Sequence, residues 1–260
     1  MKDCFHDRSF RQQLLTLGCM YAGYGAMMIC RQMVTILSPA LLADESLNFT
    51  VKDTGDILAY GTVGAMVGKL IWGPLADRIG GRFTFLAGIV LTALLVVLFG
   101  LSHNVLAFTV CSALLYCTKS SGWPGMTKIV GAWYRPSQYG TVWSVLSTSS
   151  RASVVLGSMF FGWLLGYLHW RTVAILSSVM ALLVYAICRF FLRDRPADAG
   201  NSPAQQTTVA DSEGESPHPL NGTTCWQGLL AFARSMRVWW EIVKLTELTC
   251  AMAFLDFLPA

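Results

Sequence analysis

The stretch Gly73-Pro74-Leu75-Ala76-Asp77-Arg78-Ile79-Gly80-Gly81-Arg82 lies between two long apolar segments of the sequence. An apolar helix that ends here must turn tightly before the next helix begins, and the two glycines allow backbone angles that other residues resist. Arginine in short loops favours the cytoplasmic side of a membrane, so Arg78 and Arg82 also indicate an orientation. The stretch therefore predicts a cytoplasmic turn between two membrane-spanning helices.

The composition is that of a membrane protein. Hydrophobic residues make up 54% of the 260 residues and charged residues only 13%, whereas soluble domains carry about 25% charged residues. Basic loops explain the net charge of +4, because the sequence has no polar Lys/Arg-rich run of the kind that binds nucleic acid. The eight cysteines lie mostly inside apolar segments without CxxC spacing, which favours neither a disulfide framework nor a zinc site.

Six segments have the ~20 apolar residues that a helix needs to cross the hydrocarbon core. They run approximately from Leu14 to Leu42, Ile57 to Ala76, Phe83 to Leu101, Val105 to Ala132, Tyr139 to Leu168 and Trp170 to Leu192. A seventh begins near Val238. The first is too long for the apolar region of a signal peptide and carries Arg31 midway. We therefore predict an all-α membrane protein with an N-terminal tail at 1–13, a six-helix half at 14–193, a linker at 194–237 and the start of a second half at 238–260.

The distribution of charge in the loops predicts the topology. Basic residues occur in the N-terminal tail, in the second and fourth loops and after the sixth span, as Lys2, Arg8, Arg11, Arg78, Arg82, Arg135, Arg193 and Arg195. The positive-inside rule then places the N-terminus and the linker in the cytoplasm. The linker is rich in Pro, Ser, Thr, Gln and acidic residues, which predicts disorder. On the opposite side, Asn48-Phe49-Thr50 makes Asn48 a candidate for glycosylation.

Four cations lie well inside the predicted spans, away from their ends, namely Arg31, Lys69, Lys119 and Arg151. Each costs on the order of 2.5–3.5 kcal/mol at a helix centre. Snorkelling or pairing with another helix is one explanation, and it suits Lys69, which is the nearest of the four to a helix end. Few intramembrane acidic residues precede the seventh segment, however, and cations that face one cavity would form an anion site. Guanidinium suits phosphate because its planar fork donates two hydrogen bonds. We take these four residues and Trp123, beside Pro124 in the fourth span, as candidate substrate-binding residues.

The pattern Gly-x-x-x-Asp-Arg-x-Gly-x-Arg at 73–82 resembles the loop between helices 2 and 3 of major facilitator superfamily transporters. Other segments resemble the organophosphate:phosphate antiporter family within it, which includes the glucose-6-phosphate translocases. These segments are Tyr24 with Arg31 and Pro39, then 68–73, 122–125, 137–143, 146–149, 169–171 and 195–200. The similarity covers about residues 14–200 and includes Lys69 as the lysine of helix 2.

This resemblance implies exchange of a phosphorylated sugar or glycerol ester for inorganic phosphate, by rocking of two six-helix halves about a central site. It implies that Arg31 contacts the phosphate and that the loop residues Gly73, Asp77, Arg78, Gly80 and Arg82 gate the cytoplasmic face. The family's second arginine, in helix 7, is missing near Ala251. Lys119 and Arg151 are cations that the family pattern does not require. The transported ester, or another organic anion in its place, therefore stays open.

The sequence contains no Walker-type loop, no metal-binding cluster and no nucleophile with a plausible base. We therefore predict a protein that is not an enzyme, uses no cofactor or metal, and interacts with organic phosphate, inorganic phosphate and the lipid bilayer. Because alternating access needs two halves, we expect a fragment of a longer chain, or a half that pairs with a missing C-terminal half or a second chain. The alternative is a non-transporting half that acts as a sensor or interaction partner. The endoplasmic reticulum, the plasma membrane and a bacterial inner membrane all suit the sequence.

Overall fold

The computed structural model describes residues 2–45, 47, 49–193 and 234, with side chains from Phe10 onward. This part of the chain forms helices α1 (Lys2–Ala43), α2 (Val51–Ile79), α3 (Gly81–Leu101), α4 (Val105–Lys119), α5 (Gly122–Trp133), α6 (Tyr139–Leu165) and α7 (Trp170–Phe191), with a 3-10 turn at Pro136–Gln138. The predicted all-α class is confirmed. The chain divides into two units, residues 1–204 and 205–260. Three predictions lie outside the described residues: glycosylation at Asn48, the linker except for Arg234, and the seventh segment.

The limits of α2 follow from local chemistry. At its start, Thr50 Oγ1 accepts a hydrogen bond from the backbone N–H of Asp53 (3.2 Å), and the Asp53 carboxylate accepts one from the backbone N–H of Thr50 (2.9 Å). The Thr50 hydroxyl also donates to the Asp53 carboxylate (2.5 Å). This bond, and after it the one from the Thr50 backbone N–H, lowers the pKa of Asp53, so the carboxylate stays ionised at the positive end of the helix dipole. At its end, Gly80 has φ 91°, a conformation that favours glycine. The predicted tight turn between the second and third spans therefore exists.

Within the described part of the chain, four segments are long and apolar enough to cross a membrane, namely Phe10–Ala43, Gly81–Leu101, Val105–Trp133 and Trp170–Phe191. Each coincides with one of the predicted spans. The remaining two predicted spans fall on α2, with 29 residues, and on α6, with 27. Both are long enough at about 1.5 Å per residue, but α2 carries Lys69 midway and α6 carries a polar run at 147–151. Their lower hydropathy therefore reflects polar side chains along long helices.

Close packing of α2 against α4 brings the lysines of these helices together. α2 lies along α4, α1 contacts α6 and α7, and α3 lies against α4, α5 and α7. On α2, a Cβ atom at Gly64 would overlap the backbone carbonyl of Ala113, and one at Gly68 would overlap that of Cys117. Only glycine permits this approach. The spacing of the two glycines by four residues puts both on one face of α2.

Side-chain hydrogen bonds connect the helices at the end of the unit that carries Arg78, Arg135 and Arg193, which we call the basic end. Gln13 Nε2 donates to the carbonyl of Trp133 (3.0 Å), and the Tyr134 hydroxyl donates to the carbonyl of Gln13 (2.6 Å). Burial raises the pKa of Tyr134 above its ordinary range, so the hydroxyl keeps the proton that it donates. Trp133 Nε1 donates to the carbonyl of Arg193 (2.9 Å). These bonds join α1, the end of α5 and the residues after α7.

At the opposite end, Arg171 connects α7 to the end of α3. Its guanidinium donates to the carbonyls of Gly100 (2.6 Å) and Ser102 (3.0 Å) and lies 3.1 Å from His103 Nδ1. It also stacks over the ring of Trp170, whose Nε1 donates to Asp44 Oδ2 (2.9 Å). Since guanidinium has donors only, His103 Nδ1 must accept this hydrogen bond. Loops from three places in the sequence are thereby held at one end.

Candidate substrate site

A cleft of about 710 Å³ opens between α2, α4 and α5. Its walls are formed by Lys69, Gly73, Ala76, Asp77, Lys119, Ser120, Trp123, Pro124, Thr127 and Lys128. Three of these residues are cations, whereas Asp77 is the only acidic residue among the lining residues that the structure describes. A second cavity, of about 140 Å³ between α1, α6 and α7, has no charged residue in its lining. The first cleft is therefore the candidate site for an anion.

A break in the fourth predicted span shapes this cleft. α4 ends at Lys119, and α5 begins at Gly122. In the turn between them, Ser120 Oγ donates to the carbonyls of Tyr116 (3.0 Å) and of Ala65 on α2 (3.1 Å). Pro124 lies inside this span in the sequence, but the interruption of the helix precedes it. Pro124 is the third residue of α5, where a missing backbone N–H costs little.

Aromatic rings surround the cleft beside the break. Trp123 is 42% exposed and stacks on Trp143 of α6, with ring centroids 4.9 Å apart and planes inclined by 14°. Tyr24 of α1 presents an edge-to-face contact to Trp123 at 6.0 Å. The Lys119 ammonium lies 5.5 Å from the centroid of the Tyr24 ring. Tyr24 thus contacts both the cation and the indole, and it fixes their relative positions.

Arg31 lies next to this group. Its guanidinium carbon is 4.8 Å from the centroid of the Tyr116 ring on α4, and the side chain is half-buried. Tyr116 and Lys119 both belong to α4, along which α2 with Lys69 packs, whereas Arg31 itself does not line the cleft. Three of the four cations predicted from the sequence are therefore grouped around α4. The rings of Tyr24 and Tyr116 offer their negative faces to two of them, which offsets part of the mutual repulsion.

Arg151 stands apart from this group. It is exposed on α6, and within the described residues it forms neither a hydrogen bond nor an ion pair. It does not line the cleft. The structure therefore brings Arg31, Lys69, Lys119 and Trp123 together but leaves Arg151 outside their group.

The loop residues predicted to gate the cytoplasmic face have distinct places. Gly73 and Asp77 line the cleft, Gly80 forms the turn, and Arg78 is exposed. Arg82 Nη2 donates to the carbonyl of Arg189 near the end of α7 (2.8 Å). The arginine thereby connects α3 to the end of α7.

Lys128 was not predicted from the sequence as a site residue, and its Nζ lies 2.6 Å from Asp77 Oδ1. Lys128 follows Pro124 by four residues, and this helical spacing, which puts both residues on one face of α5, could have placed Lys128 on the wall of the cleft. Tyr116, which holds Arg31, was also missed. In the described residues there is no group of three or more His, Cys, Asp or Glu side chains that could hold a metal ion.

A family model described as the Major Facilitator Superfamily matches residues 20–260. A probable hexose phosphate transport protein of Chlamydia pneumoniae is 27% identical over 192 residues, which cover 72% of this chain and 41% of that protein. The membrane sensor protein UhpC of Salmonella typhimurium is 27% identical over 195 residues, covering 74% of this chain and 42% of that protein.

A third relative is the glucose-6-phosphate exchanger SLC37A2 of Bos taurus, 25% identical over 179 residues that cover 66% of this chain and 35% of that protein. The chain spans less than half the length of these curated relatives. Their names confirm the predicted resemblance to the organophosphate:phosphate antiporter family.

A solved structure shares the fold. It is a bacterial homologue of the human lysosomal transporter Spinster in an inward-facing and unoccupied conformation, with a TM-score of 0.63 and 14% sequence identity. The match covers 88% of this chain and 50% of that one. At this identity the likeness shows the fold alone.

Proposed function

Because the chain belongs to the Major Facilitator Superfamily, we propose that it is part of a secondary antiporter that exchanges phosphorylated sugars or related organic phosphates for inorganic phosphate. The observation that carries this proposal is the grouping of Arg31, Lys69 and Lys119 beside a cleft that Asp77 alone lines with negative charge among the described residues. Such an excess of cations inside a membrane protein is costly without an anionic ligand. A phosphate ester supplies that anion.

Each cation has a role that its chemistry suits. The Arg31 guanidinium donates two hydrogen bonds to two phosphate oxygens, and the Tyr116 ring below it holds its plane. Lys69, on the wall of the cleft, and Lys119, at its inner end beside Tyr24, act as point charges on the remaining oxygens. Trp123 lines the same cleft and is exposed, so its indole ring offers an apolar surface to the carbon skeleton of the ester.

The mechanism follows from the architecture of the superfamily, in which a central site opens alternately as two halves rock. This chain supplies one half, and its partner is a C-terminal half or a second chain. Gly73, Asp77, Arg78, Gly80 and Arg82 gate the mouth of the cleft at the basic end. We place the basic end, with the N-terminus, in the cytoplasm because of its arginines.

Exchange in proteoliposomes tests the proposal. We expect labelled inorganic phosphate to enter vesicles preloaded with phosphate or glucose-6-phosphate when they contain the full reading frame to which the chain belongs. Arg31→Ala should slow this exchange about ten- to hundredfold, since hydrogen bonds to charged groups contribute ≈ 1.5–3 kcal/mol and 1.4 kcal/mol is a factor of ten.

Lys52→Gln is the matched control, because Lys52 is an exposed cation in the first turn of α2, far from the cleft. It should exchange at the wild-type rate. Wild-type exchange by Arg31→Ala, at normal abundance in the membrane, would show that Arg31 does not bind the phosphate.

A second candidate function is that of a sensor, in which the chain binds a phosphate ester without transporting it. The similarity to the membrane sensor protein UhpC favours it. Saturable binding of phosphate together with the absence of exchange by the full reading frame would establish this alternative. If neither binding nor exchange occurs, the substrate is a different organic anion.

A further inference from the structure

The ion pair between Asp77 and Lys128 has features of a weak closure over an anion site. It spans the mouth of the cleft, with Asp77 in the last turn of α2 and Lys128 on α5. The side chains of Lys128 and Asp77 are 50% and 63% exposed. Exposed ion pairs contribute about 0–1 kcal/mol, because water and salt screen them. Although Lys128 Nζ and Asp77 Oδ1 are only 2.6 Å apart, their interaction is weak enough for a competing anion to displace the Asp77 carboxylate.

Helix dipoles also disfavour the Asp77 carboxylate at its position next to Lys128. The carboxylate lies near the C-terminus of α2, where the dipole disfavours negative charge. Lys128 lies beside the N-terminus of α3, since a Cβ atom at Gly81 would be only 2.7 Å from Lys128 Cβ. That end of α3 favours an anion. The N-terminus of α3 thus favours a negative charge next to Lys128. The C-terminus of α2 disfavours the negative charge of Asp77, which now provides it.

The charge of the cleft matches one phosphate group. Lys69, Lys119 and Lys128 with Asp77 leave its lining at +2, and a phosphate monoester carries about −1.5 to −2 at pH 7. Lys128 belongs to the same cleft as Lys69 and Lys119, so a phosphate that enters at the basic end meets Lys128 at the mouth before it reaches the inner cations.

We infer that Lys128 is an entry site for phosphate at the mouth of the cleft, and that Asp77 occupies this site as an internal anion until inorganic phosphate or a phosphate ester displaces it. The inference rests on the proposed function, and it adds a second position for the phosphate outside the inner site at Arg31. Displacement breaks the ion pair that joins α2 and α5 at the mouth, while the backbone contact of α2 with α4 stays in place.

Opposite effects of the two neutralising variants test this inference. Binding of labelled inorganic phosphate to the purified chain is measured by equilibrium dialysis at low ionic strength. Asp77→Asn removes the competitor and should tighten binding about two- to fivefold, the range that an exposed pair of up to 1 kcal/mol allows. Lys128→Met removes the site and should weaken binding about two- to tenfold. The double variant should bind as weakly as Lys128→Met.

The chain offers controls that remove the same charges elsewhere on α2. Asp56→Asn and Lys52→Gln neutralise exposed residues in its first two turns, more than about 30 Å from Asp77 at 1.5 Å per residue. They should leave binding unchanged. Any effect of total charge alone would appear in these variants too.

Each outcome decides between the inference and the proposed function. If both variants weaken binding, or neither changes it, while Arg31→Ala weakens it, Asp77 and Lys128 form only a structural pair and the proposed function stands. If wild-type protein binds no phosphate and Arg31→Ala is no different, both the proposed function and the entry site are rejected. Tighter binding by Asp77→Asn, weaker binding by Lys128→Met and a double variant as weak as Lys128→Met together support displacement, because additive local electrostatics would bring the double variant back to wild-type binding.

Discussion

Lys119 and Arg151 are both cations inside predicted spans that the family pattern does not require, but their surroundings in the structure differ. Lys119 is half-buried at the end of α4, faces the Tyr24 ring and lines the cleft. Arg151 is exposed on α6 and lies outside the cleft. We predict that Lys119→Gln weakens binding of inorganic phosphate about ten- to hundredfold, since charge-assisted hydrogen bonds contribute ≈ 1.5–3 kcal/mol. Arg151→Gln should change the dissociation constant less than twofold.

Equilibrium dialysis of both variants beside the wild type provides the comparison, and each variant loses one positive charge. Equal losses would mean that general electrostatic attraction governs binding. A larger loss with Arg151→Gln would move the site towards α6 and away from the cleft.

At this scale the sequence predicted the inner cations of the candidate site and Asp77 at its mouth, but not Lys128. Lys69 and Lys119 were found because charge inside an apolar span is costly and calls for a ligand or a partner. Lys128 gave no such signal, because a lysine near the end of a span can reach the interface. Its role depends on Asp77, which is distant in the sequence and meets Lys128 only when α2 and α5 pack together.

The packing of α2 against α4 determines the distance between Lys69 and Lys119. A Cβ atom at Gly64 would overlap the carbonyl of Ala113, and backbone cannot move aside as a flexible side chain can. We predict that Gly64→Ala lowers the free energy of unfolding by about 1–3 kcal/mol, the typical cost of overpacking. Thermal unfolding of the purified protein measures this change.

Gly55→Ala is the matched variant on the same helix, because nothing lies within 4 Å of a Cβ atom there. The higher helix propensity of alanine should make this variant neutral or more stable, by up to about 1 kcal/mol. If Gly64→Ala behaves as Gly55→Ala does, the close contact of α2 and α4 is not required.

The ends of the helices could be predicted from the sequence better than the interruption of the fourth span between α4 and α5. Long apolar segments with Gly80 between two of them gave α2 and α3 directly. The division of the fourth span at Ser120 and Ser121 could not be predicted, because the apolar segment is continuous enough in the sequence to be read as one helix. The turn depends on the bond from Ser120 to the carbonyl of Ala65, a contact from another helix that the local sequence does not encode.

For the whole molecule, the hydrogen bonds at the two ends keep the described helices together as one body. Rocking transport requires a half that moves as a unit. At the end opposite the cleft's mouth, Arg171 donates to the carbonyls of Gly100 and Ser102 and contacts His103. These carbonyls lie at or just beyond the C-terminus of α3, where backbone acceptors lack helical partners. Arg171 therefore satisfies acceptors that would otherwise depend on water.

We predict that Arg171→Gln lowers the free energy of unfolding by about 1–3 kcal/mol, the cost of leaving such acceptors without a donor. Thermal unfolding should show the loss, while equilibrium dialysis should give a phosphate dissociation constant within about twofold of wild type, because Arg171 lies far from the cleft. This combination separates a residue that holds the half together from one that binds the ligand. A loss of phosphate binding as large as that expected for Lys119→Gln would instead mean that the two ends of the half are coupled, so that the bonds of Arg171 also determine the geometry of the cleft.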